Sequence, residues 1–596
     1  MQTTKKMLAC LGLISALGTA TALAQTAAPA TTKHHSKKMH KAKVAEGPSL
    51  QSQIEALRTD MQTQIQGLKQ QLSDRDAQLQ QAQAAAQAAQ AAAAQAAQAA
   101  QADQQTNADN TAAVSSLQGA VTDLKANSTL IVTSMQSDQA QLQKALETPD
   151  SIHFKGVTLA PTGSFLEAAT VWRQKGVGGD INTPFNAIPL DQADAAHLSE
   201  FYGSGRQSRV AMLAEGKLAN STMRGYYEAD WLSAGVTSNN NQSNSYTMRQ
   251  RQLWAQAEWG NWTVTAGQMW SLATENRTGV TNRTETLPMT IDAAYNVGFV
   301  WTRQYGFRVA KKFGKGFWLA ASAENPETLN LGGTVPANAL LGTAGAGGGL
   351  YNLNANYSYN VAPDFVVKAV MEPGWGHYEV FGIGRFFRDR IYPNATATVP
   401  SSVGAYNDTT TGGGIGGSLR VPTFHKKLDV GIKGLWGDGI SRYGDSTFAD
   451  ATLKPSGKLD LLHGFSALST LELHATPKLD IYANYGGDYA GRAYFVSASG
   501  AGEGYGSPLF VNTGCSTEPL PGGSFVPSNP SKCAANNRDD QEFTFGYWYD
   551  FYKGPKGRLR ESIQYSNLKR QTWSGVGGAP KAEDNMIFTA FRYYLP

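Results

Sequence analysis

The sequence predicts an all-β transmembrane barrel of about sixteen antiparallel strands, preceded by an α-helical coiled-coil extension. Apolar and polar residues alternate in short runs from residue 152 to the end, and no helical periodicity separates these runs. In the run 541–551, Phe543, Phe545 and Tyr547 share one face, and mostly polar residues share the other. A soluble sheet buries such a face in a core, but no helix is available to cover it here. The pattern is explained if lipid covers the apolar face of a closed sheet and water fills its inside.

Residues 1–24 have the organisation of a secretory signal peptide. Lys5 and Lys6 precede an apolar run that begins at Met7, and Ala22-Leu23-Ala24 matches a cleavage site. The rest of the sequence has no apolar run of about 18 residues, so it predicts no transmembrane helix. Export without a helical anchor, followed by alternating strands, predicts the bacterial outer membrane, with the helical region in the periplasm.

Residues 25–48 form a basic tail that we predict to be disordered, with five lysines and three histidines. The tail would either touch anionic cell wall or lipid head groups, or be a solvated tail with no partner. The histidine spacing is not that of a defined metal site, so we predict none.

Residues 49–147 are predicted to form a periplasmic coiled coil. Apolar positions alternate by three and four in the second half, the spacing of a coiled-coil seam. The positions of this seam are Val114, Leu117, Val121, Leu124, Ser128, Ile131, Met135, Asp138 and Leu142. Residues 80–105 are almost only Ala and Gln, which favour a helix but give it little apolar surface. The expected partner is the same helix of neighbouring chains, and a monomeric fluctuating helix is the alternative.

Residues 152–596 are predicted to form the barrel. Short turns alternate with long loops, and seven turns and eight loops connect sixteen strands. The long loops are expected near 174–205, 235–247, 273–304, 326–362, 389–413, 438–461, 494–540 and 574–584. An even strand number places both ends of the barrel in the periplasm.

Charged residues on the strands are assigned to the inner face, because a lipid-facing arginine at mid-bilayer costs about 2–4 kcal/mol. The residues predicted to line the pore and bind anions are Arg209, Arg224, Arg249, Arg251, Arg308, Arg385, Arg420, Lys433, Arg560 and Arg592. Lys368 belongs to the same inward set. An excess of arginine favours small anions. The alternative is that these charges pair with inward carboxylates and only stiffen the wall.

The third long loop has the length and charge of a loop that folds into a lumen to narrow it. The candidate constriction residues are Arg277, Arg283, Arg303, Glu285 and Asp292.

Cys515 and Cys533 are predicted to form a disulfide across one surface loop, because an exported chain matures in an oxidising compartment. Two free thiols are the alternative. The sequence has no G-x-S-x-G motif and no set of histidines that suggests catalysis, so it predicts neither an enzyme nor a cofactor. A net charge of +4 argues against nucleic acid as a partner.

Over about 152–596 the chain resembles the DcaP-like trimeric outer-membrane porins. The motifs that carry the resemblance are Ser208-Arg209-Val210, Tyr227-Glu228-Ala229-Asp230-Trp231, Arg249-Gln250-Arg251, Gly267-Gln268-Met269-Trp270, Ala362-Pro363-Asp364 and Gly376-His377-Tyr378. The resemblance implies a homotrimer, uptake of dicarboxylates and similar small anions, and the inward arginines as the anion-binding set. The chain departs from the usual aromatic last residue of such barrels by ending in Leu595-Pro596.

The sequence therefore predicts a porin for passive diffusion of small polar solutes across the outer membrane. One alternative is a structural anchor whose coiled coil tethers the membrane to the cell wall. Another is a trimeric adhesin anchor, in which each chain gives only a few strands. The sixteen strands predicted for this chain argue against the adhesin.

Overall fold

The computed structural model describes residues in ten segments. These are 84–85, 118–132, 134–136, 151–233, 246–328, 332–333, 336–340, 358–515, 517–518 and 533–596. The predicted signal peptide, the basic tail and most of the predicted coiled coil lie outside these residues.

Twenty-three strands follow one another from residue 152 to residue 594. They are β1 Ile152–Phe154, β2 Val157–Ala160, β3 Phe165–Arg173, β4 Glu200–Ser204, β5 Arg209–Leu218, β6 Ser221–Asp230, β7 Arg249–Trp259, β8 Trp262–Trp270, β9 Arg303–Phe313, β10 Phe317–Glu324, β11 Asp364–Met371, β12 His377–Ile391, β13 Tyr406–Thr423, β14 Leu428–Asp438, β15 Ala451–Leu453, β16 Leu459–Leu461, β17 His463–Thr476, β18 Leu479–Ala490, β19 Ala493–Val496, β20 Gly502–Tyr505, β21 Asn537–Gly554, β22 Gly557–Thr572 and β23 Lys581–Tyr594. Nineteen of them share one sheet, and β15–β16 and β19–β20 form separate two-stranded ribbons.

The sheet closes on itself because the last strand pairs with an early one. β23 runs antiparallel to β3, from Tyr594 opposite Phe165 to Met586 opposite Arg173. β4 and β5 both pair with β3 and count as one interrupted strand of the barrel. The hairpin of β1 and β2 adds to β5 at the end where the barrel begins. The structure therefore confirms the predicted closed barrel of sixteen antiparallel strands.

Short turns and long loops alternate around the barrel, as predicted. The seven short turns span 219–220, 260–261, 314–316, 372–376, 424–427, 477–478 and 555–556. The eight long connections span 174–199, 231–248, 271–302, 325–363, 392–405, 439–462, 491–536 and 573–580. Near the short turns the amide of Leu595 donates a hydrogen bond to Ser164 O at 3.2 Å, so both ends of the barrel lie on the same side.

The outer face of the barrel is apolar on every strand. Each of the sixteen strands exposes a large apolar or aromatic side chain; one from each is Leu166, Val210, Tyr227, Leu253, Trp262, Phe307, Leu319, Phe365, Val380, Ile415, Ile432, Leu471, Tyr485, Phe543, Ile563 and Ile587. These outward residues alternate with inward ones that are buried and often charged. A continuous apolar belt around a closed sheet is the surface that a lipid bilayer requires.

The described part of the N-terminal region is helical over 118–132 and 134–136. At two predicted seam positions, the Leu124 and Ile131 side chains are 45% and 54% exposed. The coiled coil stays a prediction. Across the described residues, no helix has both the length and the apolar character needed to span a bilayer.

Candidate functional site: the lumen and its inserted loop

The third long loop, 271–302, lies inside the barrel and touches its wall at two separate places. Its first part binds β11, β12 and β14, where Lys433 Nζ donates to Ala273 O at 2.7 Å. Its later part binds β21–β23, where Trp548 Nε1 donates to Met289 O at 2.6 Å. With its contacts to β17 and β18 in between, the segment follows the inner wall from β11–β14 to β21–β23.

Buried charges hold the first part of the loop. Lys368 Nζ donates to Thr274 O at 2.7 Å and to Asn276 Oδ1 at 3.0 Å. The Glu379 carboxylate pairs with Lys368 at 3.0 Å and accepts the Asn276 amide at 2.9 Å. Both charged side chains have no exposed surface. Desolvated charges of this kind keep their place only when they are paired and hydrogen-bonded, so this contact is rigid.

Polar side chains of β21 and β22 hold the later part. Glu542 Oε2 accepts the Val297 amide at 3.0 Å. Gln564 Oε1 accepts the Ile291 amide at 2.7 Å, and its Nε2 donates to Asp292 Oδ1 at 3.1 Å. We call the wall side chains that hydrogen-bond the loop at these two places the loop clamp; they are Lys368, Glu379, Lys433, Glu542 and Gln564.

Between these anchors, the loop backbone packs directly on the wall at two glycines. A Cβ on Gly486 of β18 would lie 1.8 Å from Val297 O. A Cβ on Gly298 would lie 1.9 Å from Ala467 O, and Gly298 has a φ of +83°. Only glycine allows this approach of two backbones.

Most of the predicted pore-lining arginines are buried ion pairs. Arg385 pairs with Asp364 at 3.2 Å and with Asp450 at 2.9 Å, and all three side chains are fully buried. The other pairs of this kind are Arg420 with Glu275 and Glu472, Arg560 with Asp480 and Asp550, and Arg592 with Glu167. Their charge is compensated and inaccessible to a solute.

Arg308, Lys433 and Arg224 also have structural surroundings. Arg308 donates to Asn282 Oδ1 at 2.7 Å, and both Arg308 and Lys433 are buried, at 4% and 2% exposed. Arg224 lies near the short-turn end and pairs with Glu215 at 2.6 Å and with Glu258 at 2.5 Å. These residues fit the alternative prediction, in which inward charges only stiffen the barrel wall.

Arg251 owes its position to a β-bulge. Glu228 is opposite Gln252 and Ala229 is opposite Gln250, so Arg251 is the extra residue of β7. A bulge places two neighbouring residues on the same face, which explains the poor alternation of this strand in the sequence. Arg251 Nη1 then reaches Asp230 Oδ2 at 2.7 Å.

The wall opposite the clamp carries a different set of arginines. We call Arg209, Arg249, Arg251, Arg283 and Arg303 the arginine face. Their carboxylate partners are Glu228, which lies 2.5 Å from Arg251 and 3.6 Å from Arg209, and Asp230, which lies 2.8 Å from Arg249. Five guanidinium groups and two carboxylates leave a net charge of +3.

Arg303 is held by aromatic rings rather than by a carboxylate. Its guanidinium lies 4.8 Å from the Trp270 ring and 5.1 Å from the Trp301 ring. It is also within electrostatic reach of Arg249 and Arg251. Among the described residues no ion pair is formed with Arg303. Stacking fixes the guanidinium without cancelling its charge.

The arginine face is also open to solvent. The Arg209 and Arg249 side chains are 22% and 28% exposed. Arg283 is exposed on the loop, 5.0 Å from the Tyr226 ring. Asp445 of the 439–462 loop accepts Trp301 Nε1 at 3.1 Å, and burial raises the pKa of its carboxyl well above the usual range.

The five predicted constriction residues therefore have different positions. Arg283 and Arg303 belong to the arginine face, and Arg303 is the first residue of β9 rather than part of the loop. Arg277 pairs with Glu472 at 3.1 Å, and Asp292 is buried against Gln564. Glu285 forms a β-bridge with Asn276 inside the loop.

Sequence reasoning missed the two tryptophans that flank Arg303. A signal for them exists, because Trp270 ends one strand and Trp301 lies two residues before the next. Aromatic residues at both ends of one long loop are brought together when that loop folds back on the barrel.

Cys515 and Cys533 are joined by a disulfide within the 491–536 connection, and Cys515 is fully buried. Among the described residues, no group of His, Cys, Asp or Glu side chains has an arrangement that could hold a metal ion.

Comparisons with known proteins found no matching protein-family description and no matching curated protein. Among solved structures, the chain is similar to the outer membrane channel DcaP of Acinetobacter baumannii, with 14% identity and a TM-score of 0.49 over 74% of this chain and 99% of that one. It is also similar to Pseudomonas putida OprB, with 12% identity and a TM-score of 0.38 over 76% and 96% of the two chains. A third similar structure is an anion-selective porin from Comamonas acidovorans, with 9% identity and a TM-score of 0.36 over 73% and 98%. The similarity to DcaP agrees with the resemblance seen in the sequence motifs, and at this identity it says nothing about the solute.

Proposed function

We propose that the chain is a porin of the bacterial outer membrane, through which small polar solutes diffuse passively and small anions such as dicarboxylates are preferred. The passage lies between the inserted loop and the arginine face. The observation that carries the proposal is the excess of guanidinium groups over carboxylates on the arginine face, where Arg209 and Arg249 are partly exposed and Arg303 lies against two tryptophans without an ion pair.

Electrostatics explains why this face would select anions. A lumen whose walls have a low dielectric constant focuses the field of its charges. Uncompensated guanidinium groups therefore raise the local concentration of anions and lower that of cations. The buried pairs on the clamp wall contribute little to this field, because each of those cations has a carboxylate within 3.2 Å. Selectivity is therefore assigned to one side of the lumen.

The apolar belt supports the membrane location. Exposed residues such as Leu253, Ile415 and Phe543 form part of a ring around the whole barrel, and transfer of such a ring from water to lipid is favourable. The outer membrane is the proposed site because closed barrels of exported chains occur there.

We further propose a homotrimer. Two observations support it. The exposed seam residues Leu124 and Ile131 would be covered by the same helix of other chains. The strands β3 and β5–β11 have 8 to 11 residues, whereas β21 has 18, so one side of the barrel wall is low and suited to contact with neighbouring copies. A tether to the cell wall is a separate hypothesis, because its residues lie outside the described part of the chain.

Purified protein in planar bilayers tests the proposed function. We expect stepwise conductance and, in a potassium chloride gradient, a reversal potential of the sign that marks chloride as the more permeant ion. Absence of any conductance would contradict the porin, and a cation-selective reversal potential would contradict the role of the arginine face.

A further inference from the structure

A groove of about 530 Å³ lies on the outer face of β17, β18 and β21. We call it the outer-wall groove; its outward residues are Phe465, Ala467, Ser469, Tyr485, Gly487, Tyr489, Asp539 and Gln541. The two polar residues of β21 are already paired, because Gln541 accepts from Tyr485 OH at 3.0 Å and donates to Asp539 at 2.9 Å. The small residues form its floor, and the aromatic residues form its rim. Neighbouring residues point inward, as Asn484 does when it donates to Asn296 of the inserted loop at 3.3 Å. The groove therefore belongs to the outside of the wall.

The groove lies within the apolar belt. The Tyr485 and Phe465 side chains are 55% and 43% exposed, so the rim faces the bilayer. Its volume falls within the range of small-molecule sites, roughly 300–1,000 Å³. A dent of this size in a lipid-facing wall must be filled by apolar matter, because water in it would face the hydrocarbon of the bilayer.

Two arginines lie at the end of the groove nearest the long loops. The Tyr489 ring lies 5.9 Å from the Trp573 ring, which extends the rim. The guanidinium groups of Arg492 and Arg538 lie 4.4 Å and 5.9 Å from that same Trp573 ring. The Arg538 charge is compensated by Asp539 at 2.6 Å.

Arg492 remains without an anion. Its side chain is exposed, and its Nη2 donates to Ser574 O at 3.0 Å. In the part of the chain that the structure describes, no carboxylate pairs with it. A groove whose polar side chains are already paired with one another, with an aromatic-stacked guanidinium that has no carboxylate partner at its long-loop end, matches a ligand with an apolar chain and an anionic head.

We propose that the outer-wall groove binds a phosphorylated, acylated lipid of the outer leaflet. An acyl chain occupies the groove, and a phosphate group accepts hydrogen bonds from Arg492. This inference rests on the membrane location given in the proposed function. A second copy of the chain fits the groove less well, because the apolar belt of another barrel offers no anion to Arg492.

Native mass spectrometry of the full-length protein in detergent, mixed with synthetic diphosphorylated lipid A, tests the proposal. We expect a bound lipid in the wild-type spectrum. Arg492→Ala should lower the bound fraction roughly tenfold, the effect of losing one charged hydrogen bond. Gly487→Leu, which fills the floor, should lower it by a similar factor.

Matched controls exist on the outer face of β12. Arg388→Ala removes an arginine, and Gly384→Leu adds a side chain at a glycine with no atom within 4 Å of the added Cβ. Both controls should bind lipid A as the wild type does. Equal binding by all four variants would overturn the proposal.

Other outcomes identify the wrong ligand. Displacement of the lipid by inorganic phosphate at equal concentration, or equal binding of an uncharged diacylglycerol, would each overturn the proposal. Dissociation of the oligomer by Gly487→Leu with unchanged lipid binding would make the groove a contact between copies and would also overturn it. Bilayer conductance of the same samples separates the two hypotheses, because a silent wild type that still binds lipid A contradicts only the porin.

Discussion

The two sides of the lumen use the same residue types for different ends. On the wall formed by β11–β14 and β21–β23, cations are buried and compensated, as Arg385 is by Asp364 and Asp450. On the wall formed by β5–β9, cations outnumber carboxylates and face solvent, as Arg249 and Arg209 do. An inward arginine is therefore a structural group or a selectivity group according to the carboxylates and the burial that accompany it.

This contrast gives each side a separate physical role. The loop clamp fixes where the inserted loop lies, and its charges cannot move or meet a solute. The arginine face sets the potential in the remaining space, because its five guanidinium groups outnumber its two carboxylates and because Arg209 and Arg249 are partly exposed. Variants that act on one side should leave the property of the other side unchanged.

The largest expected effect is a loss of stability on the buried side. Arg385→Met removes the cation that pairs with both Asp364 and Asp450 in a fully buried place, and Asp364 keeps only the longer pair with Arg442 at 3.7 Å. Breaking such a buried pair costs about 3–5 kcal/mol. Denaturant unfolding in detergent micelles measures the change in the free energy of unfolding. The control is Arg224→Met, whose Glu215 and Glu258 partners are more than 40% exposed and whose loss should cost under about 1 kcal/mol. Equal costs for the two variants would contradict the division into buried and open sides.

A smaller effect is expected on conductance when the loop is pushed from the wall. Gly486→Ala places a Cβ 1.8 Å from Val297 O, so the loop must shift. Single-channel conductance should change, and the reversal potential should keep its sign because the arginine face is intact. Gly487→Ala is the matched control on the next residue, since the nearest atom to its Cβ would be 3.7 Å away. Identical conductance of both variants with that of the wild type would show that the loop does not limit the passage.

The smallest effect on transport is expected from the disulfide, which belongs to neither side. Replacing Cys515 and Cys533 together by Ser should leave conductance and selectivity unchanged, because the bond lies in the 491–536 connection. In the chain-entropy model the bond stabilises the folded chain by roughly 3 kcal/mol. Loss of this stabilisation should appear as faster proteolysis of that connection. Altered selectivity of the double variant would place this connection in the passage.

The sequence predicted the barrel well because its signal is local. Alternation along each strand distinguishes the faces, and turns such as Gly260-Asn261 mark strand ends, so strand number and closure followed from short-range patterns. It also placed Arg249 and Arg385 on the same inner face. Alternation does not report the long-range contacts that bury Arg385 under the 439–462 loop and leave Arg249 partly exposed.

Two parts of the lumen could not be predicted for physical reasons. The bulge at Arg251 breaks the two-residue period, so alternation alone does not assign Arg249 and Arg251 to one face; the cost of a lipid-facing arginine places them inward. The path of the inserted loop depends on contacts between residues far apart in the chain, such as Gly298 with Ala467. Such contacts are decided by packing inside the closed barrel and not by local preference.

The reversal potential of a triple variant tests the central claim most directly. Arg209, Arg249 and Arg303 are replaced by Gln in one protein, and Arg224→Gln serves as the control from the compensated set. In a potassium chloride gradient across a planar bilayer, we expect the chloride-to-potassium permeability ratio of the triple variant to fall roughly tenfold, and the control to match the wild type. An unchanged reversal potential in a folded, conducting triple variant would contradict the assignment of anion preference to the arginine face.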